Sequence, residues 1–228
     1  MYTFVVKRHD LLVLAAILLT GIYYLLGPDS LLSTISKMAP AALLALWVFI
    51  AAERSRYSKG IVLGLITGAL ADAVIISAFL PGLVLFLLAH IAYIAVFVMD
   101  SRRPAVQSLA VSSVFAGVLF AVIVVLGDSG GMELPILAYS LVIAAMWWRA
   151  FARAGEAHIP RASAIAGIVG ATLFMISDSV LAVGSFVSAI PGQSFIVMPL
   201  YWLAQAGFAV SALQHEESTP RTARENCL

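Results

Sequence analysis

The chain has 228 residues, of which 62% are hydrophobic and only 11% charged, with a mean hydropathy of +1.04. A soluble globular domain carries about 25% charged residues, so this chain lacks the polar surface to cover a water-exposed globule and reads as an integral membrane protein. A formal net charge of +1 argues against a nucleic-acid surface, and the single cysteine, Cys227, leaves no internal disulfide and no cysteine metal site.

A membrane-spanning helix needs about 20 largely apolar residues. Taken in order, the apolar runs predict spans over 11–27, 33–52, 59–79, 82–99, 105–126, 133–152, 161–184 and 193–213. The expected fold is an all-α polytopic bundle of eight transmembrane helices. Residues 1–213 form one transmembrane domain and 214–228 a polar cytoplasmic tail. Lys7 and Arg8 precede the first run as they would in a signal peptide, but no small-x-small cleavage site follows, so the run is expected to be the first helix. Turns are expected at Gly27-Pro28-Asp29, Leu80-Pro81-Gly82, Gly127 through Gly131 and Ile190-Pro191-Gly192. The other breaks carry charge: Glu53 through Arg56, Asp100 through Arg103, and Arg153 through Arg161.

Cations set the expected topology. Lys7, Arg8, Arg54, Arg56, Lys59, Arg102, Arg103, Arg149, Arg153, Arg161, Arg221 and Arg224 all fall on one side of an eight-span arrangement, and the opposite connections hold no Lys or Arg. The positive-inside rule puts that side, and both termini, in the cytoplasm. Short connections and this cation pattern fit a bacterial inner membrane, and would suit an endoplasmic-reticulum membrane too. The pairs Gly64/Gly68 and Gly167/Ala171 have small-xxx-small spacing and are expected to serve close helix packing.

Asp72, His90 and Asp178 lie deep inside three separate apolar runs. A lone ionisable group at mid-bilayer costs at least about 2.5–3.5 kcal/mol, and such residues mark functional sites by default. At about 1.5 Å rise per residue, the spans place Lys37, Asp72, His90, Asp178, Tyr201 and Gln205 in the non-cytoplasmic half of the bilayer, around one polar pocket. Each has a plainer reading: Lys37 as a snorkelling cation, His90 as an interhelical hydrogen-bonding group, Tyr93 as packing. The carboxyls are harder to explain as structure alone, because a buried ion pair is a poor exchange for leucine. Ser177 and Ser179 flank Asp178 and are expected to solvate it or the helix backbone. No Gly-x-Ser-x-Gly context marks a serine nucleophile. With His90 the one mid-span histidine, no metal site is expected. No Walker loop or dinucleotide turn appears, so no cofactor is expected either.

The order of motifs carries a resemblance. Ser36-Lys37-Met38-Ala39-Pro40 is followed by Gly68-Ala69-Leu70-Ala71-Asp72, then Phe86 through Tyr93 with Ala89-His90-x-x-Tyr93, Tyr139 through Arg149, Gly170 through Ser179 with Phe174-x-x-Ser177-Asp178-Ser179, and Tyr201 through Gln205. Over nearly its whole length the chain resembles the YhhN family of eight-span membrane proteins, related to animal lysoplasmalogenases. Two departures are visible: the family usually has Lys and Pro adjacent, whereas Lys37 and Pro40 are two residues apart, and Ala71 stands where Gly usually precedes the third-span Asp. The resemblance implies a hydrolase of lipid metabolism, an ether hydrolase that cleaves the vinyl ether bond of lysoplasmalogen. Its products would be a fatty aldehyde and glycerophosphoethanolamine or glycerophosphocholine. The partners implied are a lysophospholipid substrate and membrane lipids; the sequence fixes neither headgroup nor oligomeric state.

A vinyl ether is acid-labile. Its hydrolysis needs a proton donor and a group that directs water and steadies the oxocarbenium ion. Asp72 and Asp178 are the expected catalytic pair. His90 and Tyr93 are expected to orient a carboxyl or the water, and Lys37 to meet the lipid phosphate. Apolar walls would hold the single chain. The rival readings are a proton-coupled transporter, since intramembrane Asp and His also mark proton relays, and a non-catalytic lipid-binding bundle. Release of aldehyde separates the enzyme from both.

Overall fold

The computed structural model describes residues 8–28, 30–52 and 54–215. Lys7, Asp29, Glu53, Arg221, Arg224, Cys227 and the expected tail beyond His215 lie outside them. Among the described residues there are eight helices: α1 (Arg8–Leu26), α2 (Leu31–Ala51), α3 (Arg56–Val74), α4 (Phe79–Asp100), α5 (Val106–Leu126), α6 (Glu133–Arg153), α7 (Arg161–Phe186) and α8 (Ser194–His215). Each of the eight expected spans corresponds to one of them. Seven, α2 through α8, are long and apolar enough to cross a membrane, and α1 has a shorter apolar stretch, Asp10–Leu26. The chain is a multi-pass integral membrane protein with an all-helical bundle fold. Outward-facing side chains such as Leu18, Leu19 and Val125 are well exposed, as a lipid-facing surface requires.

Local chemistry sets the helix ends. Ser30 caps α2 by accepting from the Ser33 N–H at 3.2 Å, and Ser55 with Ser58 forms a capping box at the start of α3. Gly130 and Gly131 take φ of +58° and +82° in the α5–α6 turn, where a side chain would be strained. One expected break is displaced. α3 stops at Val74, a turn runs over residues 75–77, and α4 already starts at Phe79. Pro81 therefore sits in the first turn of α4, where its missing N–H loses no helical bond. Gly82 keeps that turn tight against α3, since a Cβ there would stand 2.5 Å from Ile75 Cα. Hydropathy continues unbroken through Ile75 and Ile76 and so hides the true end of α3.

The expected small-residue packing is present. Gly64 leaves room for the Tyr93 ring, and a Cβ on Gly207 would reach within 2.8 Å of Gly170 Cα, so α7 and α8 meet backbone to backbone. Phe86, Tyr93, Phe97, Phe174, Tyr201 and Phe208 fill the centre between α4, α7 and α8. α5 is the outlier: it leans on α6 and α7, and none of its Cα atoms comes within 8 Å of one in α4, its neighbour in sequence.

A second correction concerns Arg153, expected to open the charged connection after the sixth span. It is the last residue of α6 and is fully buried. Its Nε donates to Asp100 Oδ2 at 2.8 Å, Nη2 to Ser163 Oγ at 2.8 Å and Nη1 to Ser211 Oγ at 3.2 Å. The guanidinium also lies over the rings of Tyr57 and Phe97. This cluster joins α3, α4, α6, α7 and α8 at the end of the bundle where the α2–α3, α4–α5 and α6–α7 connections lie.

Candidate active site

Toward the other end of the bundle, one chamber collects side chains from six helices, α1 to α4, α7 and α8. Lys37 of α2, Asp72 of α3, Ser177 and Asp178 of α7 and Tyr201 of α8 all line it, and its non-atom space, open mouth included, is about 870 Å³. Lys37 Nζ lies 3.9 Å from Asp72 Oδ1, with 2% of the Asp72 side chain exposed. Asp72 Oδ2 has no hydrogen-bond partner.

Helix geometry explains how these groups arrive. Pro40, inside α2, has no N–H, which frees a carbonyl one turn back beside Lys37. The Lys37 carbonyl itself accepts from Trp202 Nε1 at 3.3 Å, tying α2 to α8. Gly68 lets α8 approach α3: a Cβ there would come within 2.6 Å of Gln205 Nε2 and 3.0 Å of the Tyr201 hydroxyl. Through that gap runs a chain of bonds. Tyr93 donates to Gln205 Oε1 at 2.6 Å, and Gln205 Nε2 donates to the Tyr201 hydroxyl at 3.0 Å. The Tyr201 hydroxyl then stands beside Asp72 with its own proton still to give. Tyr93 and Gln205 are thus behind the chamber and hold Tyr201 in place.

Asp178 is handled by a residue that sequence reasoning gave no role. Tyr139 of α6 donates its hydroxyl proton to Asp178 Oδ2. The stretch from Tyr139 to Arg149 was distinctive in the sequence, but one phenol on an apolar helix looks like packing. Its recognisable signal was that a lone intramembrane carboxyl requires a donor on a facing helix. Gln193, another residue not singled out, also lines the chamber and donates to the Val180 and Leu181 carbonyls at 3.2 Å.

One sequence candidate stands elsewhere, and two serines serve the backbone. His90 is fully buried, neither ring nitrogen has a hydrogen-bond partner, and it packs against Phe174 at 4.5 Å and Tyr139 at 5.3 Å between centroids. It does not line the chamber and reaches Asp178 only through Tyr139. Ser177 donates to the Val197 carbonyl at 3.0 Å and Ser179 to the Met175 carbonyl at 2.6 Å, so both serve the backbone rather than Asp178. Asp178 also lines a second cavity, an apolar cleft on the far side of α7 from α8.

Residues 32–212 match the model of the YhhN family. The chain belongs to the YhhN family. Among curated YhhN-like relatives it is 30% identical to human lysoplasmalogenase TMEM86B over 180 residues, which cover 78% of this chain and 74% of the relative. Mouse lysoplasmalogenase TMEM86B is 29% identical, with 87% of this chain and 85% of the relative covered. Human lysoplasmalogenase TMEM86A is 28% identical, with 87% of each covered. No solved structure matches the chain. The matched region of this YhhN-family protein contains every chamber residue named above, from Lys37 to Tyr201.

Proposed function

We propose that this YhhN-family protein is an intramembrane hydrolase that cleaves the vinyl ether bond of lysoplasmalogen, releasing a fatty aldehyde and a glycerophospho-headgroup. The observation that carries the reading is the pair of carboxyls, Asp72 and Asp178, on one chamber that also holds the Lys37 ammonium. The curated relatives, named as lysoplasmalogenases, supply the substrate class.

The roles follow from the bond. Acid attack on a vinyl ether places a proton on the second carbon of the chain and leaves an oxocarbenium ion. Water adds to the carbon next to oxygen, and the hemiacetal collapses to an aldehyde and the glycerol hydroxyl. The carbon that takes the proton belongs to the hydrocarbon chain. Asp178 stands where the polar chamber meets the apolar cleft, so it is assigned as the proton donor, steadied by Tyr139. Asp72, beside Lys37 and Tyr201, directs the water and faces the developing cation. A proton from the added water returns to Asp178, and the cycle closes without net change in the protein. Lys37 meets the lipid phosphate. Tyr93 and Gln205 position Tyr201, and His90 packs against Tyr139.

The cation-rich connections put the Arg153 end in the cytoplasm by the positive-inside rule. The chamber then opens to the opposite side, which fits an enzyme of a bacterial inner membrane acting on single-chain lipids of the outer leaflet.

The test is direct. Detergent-purified protein is incubated with a lysoplasmalogen and with its ester-linked analogue, and the products are read by mass spectrometry. Aldehyde from the vinyl ether and no fatty acid from the ester is the expected result. Fatty acid from the ester would make the protein a lysophospholipase. Neither product from folded protein would leave a carrier or a lipid-binding bundle.

A further inference from the structure

α4 and α5 are joined by residues 101–105, yet no Cα atom of one comes within 8 Å of one in the other. The space between them, floored by α6 and bordered by α7, is a narrow apolar cleft with a cavity volume of about 40 Å³. Leu83 comes from α4, Leu119 and Ile123 from α5, and Ile136 and Ile143 from α6. Ile123 and Ile143 are each 1% exposed.

The cleft adjoins the polar chamber. Ile75, Phe79, Phe86 and Asp178 are walls of both. Passing through the site, one meets Lys37 and Asp72 first, then Asp178, then hydrocarbon side chains alone apart from a few hydroxyls. A single-chain ether lipid has the same order: phosphate, glycerol, reactive bond, one alkyl chain. A second and larger apolar groove lies between α1 and α8, and it shares no wall residue with the chamber. Trp202 lines that groove, edge-on to Tyr24 at 6.0 Å and bonded to the Lys37 carbonyl.

We propose that the cleft between α4, α5, α6 and α7 is the hydrocarbon-chain site, and that Ile123 and Ile143 set which chains it accepts. The ligand class rests on the hydrolase reading above; the location rests on the geometry. A methylene buried in such a site strengthens binding about threefold to fourfold, so KM should fall with each added carbon until the cleft is full. Ile123→Phe fills the cleft and should abolish the gain for long chains while sparing short ones. Ile143→Ala enlarges it and should move the optimum to longer chains.

The deciding experiment does not depend on turnover. Full-length wild-type protein is labelled with a lysophosphatidylethanolamine that bears a diazirine at the chain end, and adducts are mapped by peptide mass spectrometry. Adducts within α5 and α6, reduced by Ile123→Phe in a protein of unchanged melting temperature, are the expected result. If Ile123→Phe does not fold, competition of the same adducts by unlabelled lysolipid in the wild type takes its place. Adducts confined to the α1–α8 groove, around Leu18 and Trp202, would overturn the proposal. Adducts in the cleft without aldehyde from any lysoplasmalogen would keep the chain site and reject the hydrolase. Aldehyde release with labelling elsewhere would do the reverse.

Discussion

Two of the polar clusters buried among the described residues are built in opposite ways. Around Arg153, each guanidinium nitrogen has an acceptor, and the Asp100 oxygen that Arg153 leaves free is taken by His215 Nε2 at 2.8 Å. His215 in turn stacks on Tyr57, whose hydroxyl meets Ser211 at 2.7 Å. Around Asp72 the ion pair is long at 3.9 Å, and the residue lines an open chamber. A fully satisfied polar network holds helices in register; a partly satisfied one is costly unless something else completes it. The first cluster is a clasp, and the second is the one proposed above to serve the substrate.

Breaking the clasp should have the largest effect. Arg153→Ala removes one partner of a buried pair, which costs about 3–5 kcal/mol. A large fall in Tm in detergent, or failure to accumulate, is expected; a wild-type melting curve would remove its structural role. Asp72→Asn and Asp178→Asn should do the contrary, leaving Tm nearly unchanged and lowering kcat by about 10²–10⁴, the usual worth of general acid–base catalysis. Near-wild-type rates in either variant would dissolve the proposed pair. Tyr139→Phe deletes one bond to a carboxyl, worth about 1.5–3 kcal/mol at most. It should lower kcat roughly tenfold or more at similar KM, and a change confined to KM would argue for a packing role. Lys37→Ala should raise KM more than it lowers kcat, as loss of a phosphate contact would. Smallest of all, Ser177→Ala gives up one backbone bond: turnover should persist, and an inactive variant with a covalent adduct on the wild type would instead point to a serine mechanism.

The same contrast explains what could be read from the sequence. Spans were legible because apolar length is a direct physical requirement of the bilayer. Asp72, Asp178 and Lys37 were legible because charge in an apolar run has few structural uses, and the chamber does bring these three together. Arg153 was not. It sits at a span end among other cations, where solvated arginine is the ordinary case, and the Asp100, Ser163 and Ser211 that bury it come from three other helices. Tyr139 was hidden for a related reason: a phenol serves packing and hydrogen bonding equally, and only the facing Asp178 distinguishes them. His90 misled in the other direction, since depth alone suggested a place on the chamber wall, whereas its ring is enclosed by Phe174 and Tyr139. The end of α3 was lost because hydropathy is blind to a turn made of isoleucine.

The backbone separation between α4 and α5 has a consequence for how such a protein can change over time. A cavity carved by small side chains vanishes as soon as one of them grows. Here the opening comes from the path of the backbone, which carries α5 past α4 and sets it on α6 and α7. Residues of α5 along that opening are therefore free to vary in bulk without changing the helices that hold the carboxyls. Lineages could retune the lipids they consume by exchanging aliphatic side chains on one loosely held helix, with the reaction centre inherited intact.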